Sequence, residues 1–433
     1  MKKIIAMLLV LAMALSLVAC GGSSAPAATE APKAPEAAPE AAPEAPAATE
    51  APAAAEEITL KVWAPQEDQV DANSWLNQVQ AKFEAAHPEY KITWDNGVCA
   101  EGDAATLVTA DPAAAADVYM YANDQLGTLI QAGALAKLGG SYLEQVQTDV
   151  SATYVNTVTS TDGGVYGFPV APNTWFMYYN KALVGDADLT SMESILEKGI
   201  VAMEIKNSWY LPSFFFAAGG TLFGETGADA AAGVQFGGEA GYAATQAVLD
   251  LLANPNFKVD GDGYGNSGLK DGSVVAYFSG SWDYAGLHEA LGENLGAVAA
   301  PTVQIGGEAK QLKAYAGSKA VGVNPNAKNM KAAMQFAAFL ASADSQLLRF
   351  QLRNITPAVT ALAENADVAA SIVAVAESNT MAFASVAQPT IAEMNPVWGP
   401  VGTFGTNLAD GMVTVDNLQE MVDALFNQLN GGI

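Results

Sequence analysis

The 433-residue chain carries 19 Lys and Arg against 46 Asp and Glu, a formal net charge of −27. So acidic a surface repels phosphate backbones and anionic lipid headgroups, which excludes nucleic-acid binding. Its two cysteines, Cys20 and Cys99, leave no intramolecular disulfide to expect and no Cys-based metal cage.

The chain opens as a targeting segment. Lys2 and Lys3 form a basic start, and Ile4 to Val18 form an apolar stretch too short for a stable membrane span. Its end, Leu17-Val18-Ala19-Cys20-Gly21, resembles the lipobox of bacterial lipoproteins. That resemblance implies a signal peptide over residues 1–19, cleavage before Cys20, and acylation of the Cys20 thiol. Two or more acyl chains anchor a protein where one holds it only marginally. The alternative is an ordinary secretory signal with a chance Cys. The mature protein is expected to be extracytoplasmic and, on the lipobox reading, tethered to the outer face of the cell membrane. Residues 20–57 then form a lipidated Cys and a disordered linker. Beyond Cys20 this stretch is almost entirely Ala, Pro, Glu, Ser, Thr and Gly, with Lys33 its only basic residue and no hydrophobic anchor. Its reach is roughly 35 Å if flexible and up to about 115 Å if extended.

From Glu57 the composition becomes that of a folded body of about 375 residues, longer than one compact core and so expected as two lobes. Ile58 to Trp63 alternates as a strand. Ser74 to Ala86 places Leu76, Val79 and Phe83 at helical spacing before Pro88. Tyr90 to Trp94 and Ala116 to Tyr121 predict strands, and Leu126 to Ala134 a helix. Further strands are expected at 176–179 and 273–278, and helices at 241–252, 330–350 and 415–429. Strands alternating with helices predict an α/β fold with a parallel-type sheet covered on both faces. Trp75, Trp94 and Cys99 read as core residues, and His87 as a surface residue at a helix end. The run from Asp260 through Asp262 to Asp271 partly resembles a calcium loop. Tyr264 replaces its fifth ligand and Asp stands where its last Glu belongs, so a solvated acidic turn is expected and no metal.

Four segments in order carry a wider resemblance. Asp117-Val-Tyr-Met-Tyr-Ala-Asn-Asp-Gln-Leu-Gly127 is similar to the strand-then-helix segment of maltodextrin-binding proteins. Val165-Tyr-Gly-Phe-Pro-Val-Ala, followed by Met177-Tyr-Tyr-Asn-Lys181, resembles their crossing between lobes. Leu269 to Trp282 resembles their "F-x-x-G-x-x-A-M … G-x-W" segment, and Met394-Asn-Pro-Val-Trp398 their last aromatic position. Together they make the body similar to a family 1 extracellular solute-binding protein of an ABC sugar importer. The resemblance implies a two-lobed, periplasmic-binding-protein-like α/β fold with hinge segments and a ligand cleft between the lobes. The first lobe would be 58–171 plus 318–375, and the second 172–317 plus 376–433. Crossings are expected near 171–174, near 315–317 and before about Thr380. Position by position, the resemblance points to Tyr121, Asp124, Trp209, Tyr210, Trp282 and Trp398 as ligand-binding, with Trp63 and Glu67 from the first strand and loop. Acidic positions of the family become Asn173 and Asn207 here, which still bridge hydroxyls, and its Arg positions become Gln125 and Gly402.

The residues themselves support sugar binding. A sugar ring offers apolar C–H faces and a belt of hydroxyls. It therefore needs flat apolar platforms and directional hydrogen-bond partners with little formal charge. Seven Trp and 14 Tyr are available, several in loop-like settings. No nucleophile elbow, P-loop, H-E-x-x-H or C-x-x-C is present, and no carboxylate pair is marked by its setting for glycoside hydrolysis. The expected protein is a monomeric binding protein, not an enzyme, with no cofactor. Its partners are an oligosaccharide, an α-glucan such as a maltodextrin being preferred, and the membrane permease subunits. The alternatives are another sugar or polyol as ligand, or a cell-surface glycan-degrading enzyme.

Overall fold

The computed structural model describes residues 54–431, so the expected signal peptide, Cys20 and the linker up to residue 53 lie outside the described residues. The last two residues of the expected linker, Glu56 and Glu57, already pair with Tyr90 and Lys91 as the start of a strand. In the first lobe, β1 (Glu56–Ala64) runs parallel between β2 (Tyr90–Val98) and β3 (Val118–Ala122). Alternation along β1 buries Ile58, Leu60, Val62 and Ala64 on one face. β4 (Phe168–Asn173) completes this half of the chain and leads directly into the second sheet.

That sheet contains β5 (Phe176–Asn180), β6 (Val201–Met203), β7 (Phe257–Val259), β8 (Ala276–Ser279) and β9 (Leu295–Val298), in the order β7-β6-β8-β5-β9. Met177 and Tyr179 of β5 belong to one core, and Phe176 and Tyr178 to another on the opposite face. A strand covered on both sides is apolar throughout, which accounts for the Phe-Met-Tyr-Tyr run. A hairpin of β10 (Thr302–Ile305) and β11 (Glu308–Gln311) precedes β12 (Ala314–Val323). The first residues of β12 pair in parallel with β13 (Ser385–Ala387). The rest inserts antiparallel between β3 and β4. One strand thus passes from the second lobe's core, through Tyr315, into the first lobe's, through Ala320 and Val321.

Three expectations are revised. The helix expected over 330–350 is two helices, Met330–Leu340 and Ala343–Arg353, because the Ser342 side chain caps the second by accepting from the Ser345 N–H. The expected first-lobe boundary at 375 falls inside the helix Ile372–Phe383, whose Val373 and Ala376 pack in the second lobe's core. The third passage between lobes therefore lies between Arg353 and Ile372. Trp94, expected in the core, is only half-buried on the edge strand β2, against Phe336 with its indole N–H on Glu84 Oε1 at 2.6 Å. Trp75 is fully buried and donates to the Ser345 carbonyl at 2.8 Å. Cys99 is buried too, and that burial pushes its thiol up to about 11.

A buried ionic cluster ties the first lobe together. Arg349 donates to Asp68 through Nε at 3.2 Å and Nη2 at 2.6 Å, and to Glu101 Oε1 at 3.3 Å. Arg353 adds a bond to Asp68 Oδ1 at 2.8 Å, and the Arg349 guanidinium lies 4.9 Å from the centre of the Trp75 ring. Burial pushes both carboxyls up. The cations outweigh it, Arg349 and Arg353 at Asp68, Lys319 and Arg349 at Glu101, and hold both below the ordinary carboxylate range.

Two depressed carboxyls contribute stability that is complete above their unfolded value of about 4 and is lost as pH falls through the lower folded value. Arg349→Met leaves Asp68 with Arg353 alone and Glu101 with Lys319 alone, and is expected to cost about 3–5 kcal/mol in urea unfolding at pH 7. Acid unfolding should also begin at a higher pH in the variant, since buried carboxyls with fewer cations beside them take up protons sooner. A variant as stable as the wild type at pH 7 and pH 5 would show the cluster to be replaceable.

Candidate functional site

A cavity of about 560 Å³ lies between the lobes, lined by Glu101, Gly102, Ala122, Asp124, Asn173, Asn207, Ser208, Trp209, Trp282, Lys319, Gln388 and Trp398. Most of these residues follow the carboxyl ends of strands: Asp124 after β3, Asn173 at the end of β4, Asn207 to Trp209 after β6, Trp282 after β8, and Gln388 after β13. Ligand crevices of α/β sheets form in this position, because side chains there project beyond the last ladder hydrogen bond. Lys319 comes from the middle of β12 and Trp398 from the first turn of the helix Trp398–Ala409.

Three indoles shape the apolar part. Trp282 is 43% exposed, with its ring centre 5.9 Å from that of Trp209 at a 37° interplanar angle. Its ring folds back over Gly280, where even a Cβ atom would lie within 2.1 Å of it. Trp209 is held from both ends: its N–H donates to Asn207 Oδ1 at 2.8 Å, and its carbonyl accepts from the Trp175 indole at 3.1 Å. Trp398 meets buried Tyr315 edge-on at 5.7 Å.

The polar part mixes fixed and unspent groups. Lys319 Nζ lies 3.7 Å from Glu101 Oε2 and 5.8 Å from the Trp282 ring centre. Burial pushes the Asp124 carboxyl up to about 6, against the pull of its own backbone hydrogen bond. The buried carbonyl oxygen of the Gln388 side chain, on the cavity wall, has no hydrogen-bond partner among the described residues. Buried polar atoms left open in this way cost free energy unless something else satisfies them. The arrangement offers flat faces beside acceptors and donors of low net charge, which is the equipment for holding a polyhydroxylated ring.

Asp124, Asn173, Asn207, Trp209, Trp282 and Trp398 are thus brought to one cavity, and four other expected residues do not line it. Tyr121 is fully buried in the first lobe's core beneath Gly167. Tyr210 is buried and stacks on Trp175 at 5.3 Å, lining instead a neighbouring cavity of about 490 Å³ that shares Trp282 as a wall. Trp63 lies over Gly97 on the β1–β2 surface, and Glu67 is exposed in the turn Gln66–Asp68. In the calcium-like loop, Asp260 Oδ1 accepts from the Gly261 and Gly265 N–H groups, and Asp271 from Ser273. No three His, Cys, Asp or Glu side chains converge on a metal-sized site among the described residues. Glu101, Ser208, Lys319 and Gln388 were not expected. Only Lys319 left a trace in the sequence, as the single charge in the run Ala314 to Val323.

Residues 78–374 match the family described as Bacterial extracellular solute-binding protein. A solved structure determined with acarbose is 45% identical, covers 87% of this chain and 99% of its own, and superposes with a TM-score of 0.84. The maltodextrin binding protein of L. casei BL23, solved without ligand, is 25% identical with a TM-score of 0.78, over 86% of this chain and 99% of that one. The Galactooligosaccharide-binding protein of Bacillus subtilis (strain 168) is 27% identical over 333 residues, 70% of this chain and 75% of its relative. With a matching family model over most of the folded body, two lobes and a cavity between them, the chain belongs to the bacterial extracellular solute-binding proteins.

Proposed function

We propose that the protein captures an oligosaccharide, most readily an α-glucan such as a maltodextrin, and delivers it to the permease subunits of an ABC importer. The observation that carries this reading is the convergence of Trp209, Trp282 and Trp398 with amides and the unspent Gln388 oxygen on one inter-lobe cavity. Ring stacking on each indole contributes about 0.5–1.5 kcal/mol beyond area burial, and the orphan Gln388 carbonyl oxygen gains a partner from a sugar hydroxyl. The maltodextrin binding protein among the similar structures supports an α-glucan. The galactooligosaccharide-binding relative supports a second reading, a galactoside chain in the same cleft. Hinge rotation about the passages at β4–β5 and β12 would close the lobes on the ligand. The protein acts by binding and not by turnover. Acylation at Cys20 would hold it at the membrane, with the Ala/Pro/Glu stretch as its tether.

Titration calorimetry with maltodextrins and galactooligosaccharides tests the ligand. Trp282→Ala and Trp398→Ala are each expected to weaken binding roughly 5–150-fold, about 1–3 kcal/mol. Trp75→Ala, in the core, should instead lower stability by about 3–5 kcal/mol. Tryptophan variants that bind both glycan classes as the wild type does would displace the site.

Binding should also depend on pH. The Asp124 carboxyl loses its proton near pH 6, and the ionised form is the better acceptor of sugar hydroxyls. Affinity is therefore expected to fall as pH drops from 7 to 5, with a flatter profile in Asp124→Asn. Parallel profiles would remove Asp124 from the contact. For the anchor, Cys20→Ala should move the protein from the membrane fraction to the medium, and a variant retained and processed as the wild type would end the lipoprotein reading.

A further inference from the structure

On another side of the lobe junction lies a cavity of about 580 Å³ that the sugar site does not use. Its walls come from both lobes: Tyr154 on the helix Ala152–Thr157, Pro172 of β4, the segment around Ala358, and the helix Ile372–Phe383. Pro172, Pro357, Ala358, Val359 and Val368 make much of the lining apolar. One wall residue breaks the pattern. Glu377 is only 1% exposed, and its Oε2 has no hydrogen-bond partner. The hydroxyl of Thr356 stands beside it on the same wall. No Lys or Arg forms an ion pair with Glu377 among the described residues.

A carboxyl buried beside an empty, largely apolar space costs free energy unless a partner satisfies it. Burial accordingly pushes Glu377 up to about 7, with Thr356, Ser281 and Lys319 opposing. Ser281 adjoins Trp282 and Lys319 lines the sugar cleft, so Glu377 stands in the wall between the two cavities. The missing partner is a cation with several donors, and the remaining walls call for an aliphatic body. We propose that this cavity is a second binding site, taking a small primary ammonium with an aliphatic chain whose nitrogen pairs with Glu377 and Thr356. The strongly negative net charge of the protein raises the local concentration of such cations. Because both lobes form its walls, occupancy is coupled to their relative position, and any such coupling to the sugar cleft is reciprocal.

The test uses n-hexylammonium chloride and 1-hexanol as paired probes on the intact protein, followed by calorimetry and ligand-observed NMR. Hexylammonium is expected to bind saturably at pH 8. Binding should weaken as pH falls through 7, because the site needs Glu377 ionised. The other ionisable groups facing it are Lys319 on β12 and the phenols of Tyr154 and Tyr178, which burial pushes up and away from that range. Glu377→Gln should weaken hexylammonium roughly 10–100-fold and leave hexanol unchanged. Ser378→Leu, which narrows the cavity from the same helix, should weaken both probes and serves if Glu377→Gln does not fold by thermal unfolding. No saturable binding at millimolar concentration, equal affinity for the two probes, or hexylammonium binding untouched by Ser378→Leu would each overturn the proposal.

Discussion

The buried contact of Arg349 with Asp68 and Glu101 holds three segments of the first lobe in one arrangement. It joins the turn after β1, the segment that leads into the helix Ala104–Ala110, and the helix Ala343–Arg353. At both carboxyls the attraction of the cations outweighs the cost of burial. The cluster also supplies geometry. Glu101 is held at the cleft wall by Arg349, and its second oxygen faces Lys319. The Lys319 ammonium at the cleft is therefore positioned by a chain of charges that begins in the core.

The two lobes bring different chemistry to the cleft. Trp209 and Trp398 pack against the second lobe's core, and Trp282 follows β8 of the same sheet. Glu101, Asp124 and Lys319 come from the first lobe's sheet and its loops. Polar partners line the cleft from both sides, with Asn207, Ser208 and Gln388 beside the indoles and Glu101, Asp124 and Lys319 across from them. A ring stacked on the indoles is therefore within reach of directional partners from either lobe.

Elements whose amphipathic period is local were legible in the sequence: β1, the helix Trp75–Ala86 and the helix Gly238–Ala253 all fall close to where alternation or helical spacing puts them. The break at Ser342 was not legible, because Ala341, Ser342 and Ala343 disturb no apolar period and only the cap reveals it. Strand alternation separated Tyr121 from Asp124, though both lie in one motif: Tyr121 is still inside β3 and points into the core, while Asp124 lies past its end. Lys319 and Gln388 reach the cleft from strands whose partners are far away in the chain, so nothing near them in sequence marks their role. The return of the chain to the second lobe at Ile372 was hidden for the same reason.

The position of β12 has a consequence for synthesis. β3 and β4 are buried along their whole length, and the gap between them is filled only by residues 317–323. A nascent chain that has reached residue 300 therefore holds two apolar strands whose facing edges have no partner. Such edges are templates for pairing with other chains. The first lobe is thus encoded first and completed late, after the whole second sheet has been made, and early-terminated products should be the aggregating ones. A chain with this topology gains from reaching its folding compartment before it begins to fold.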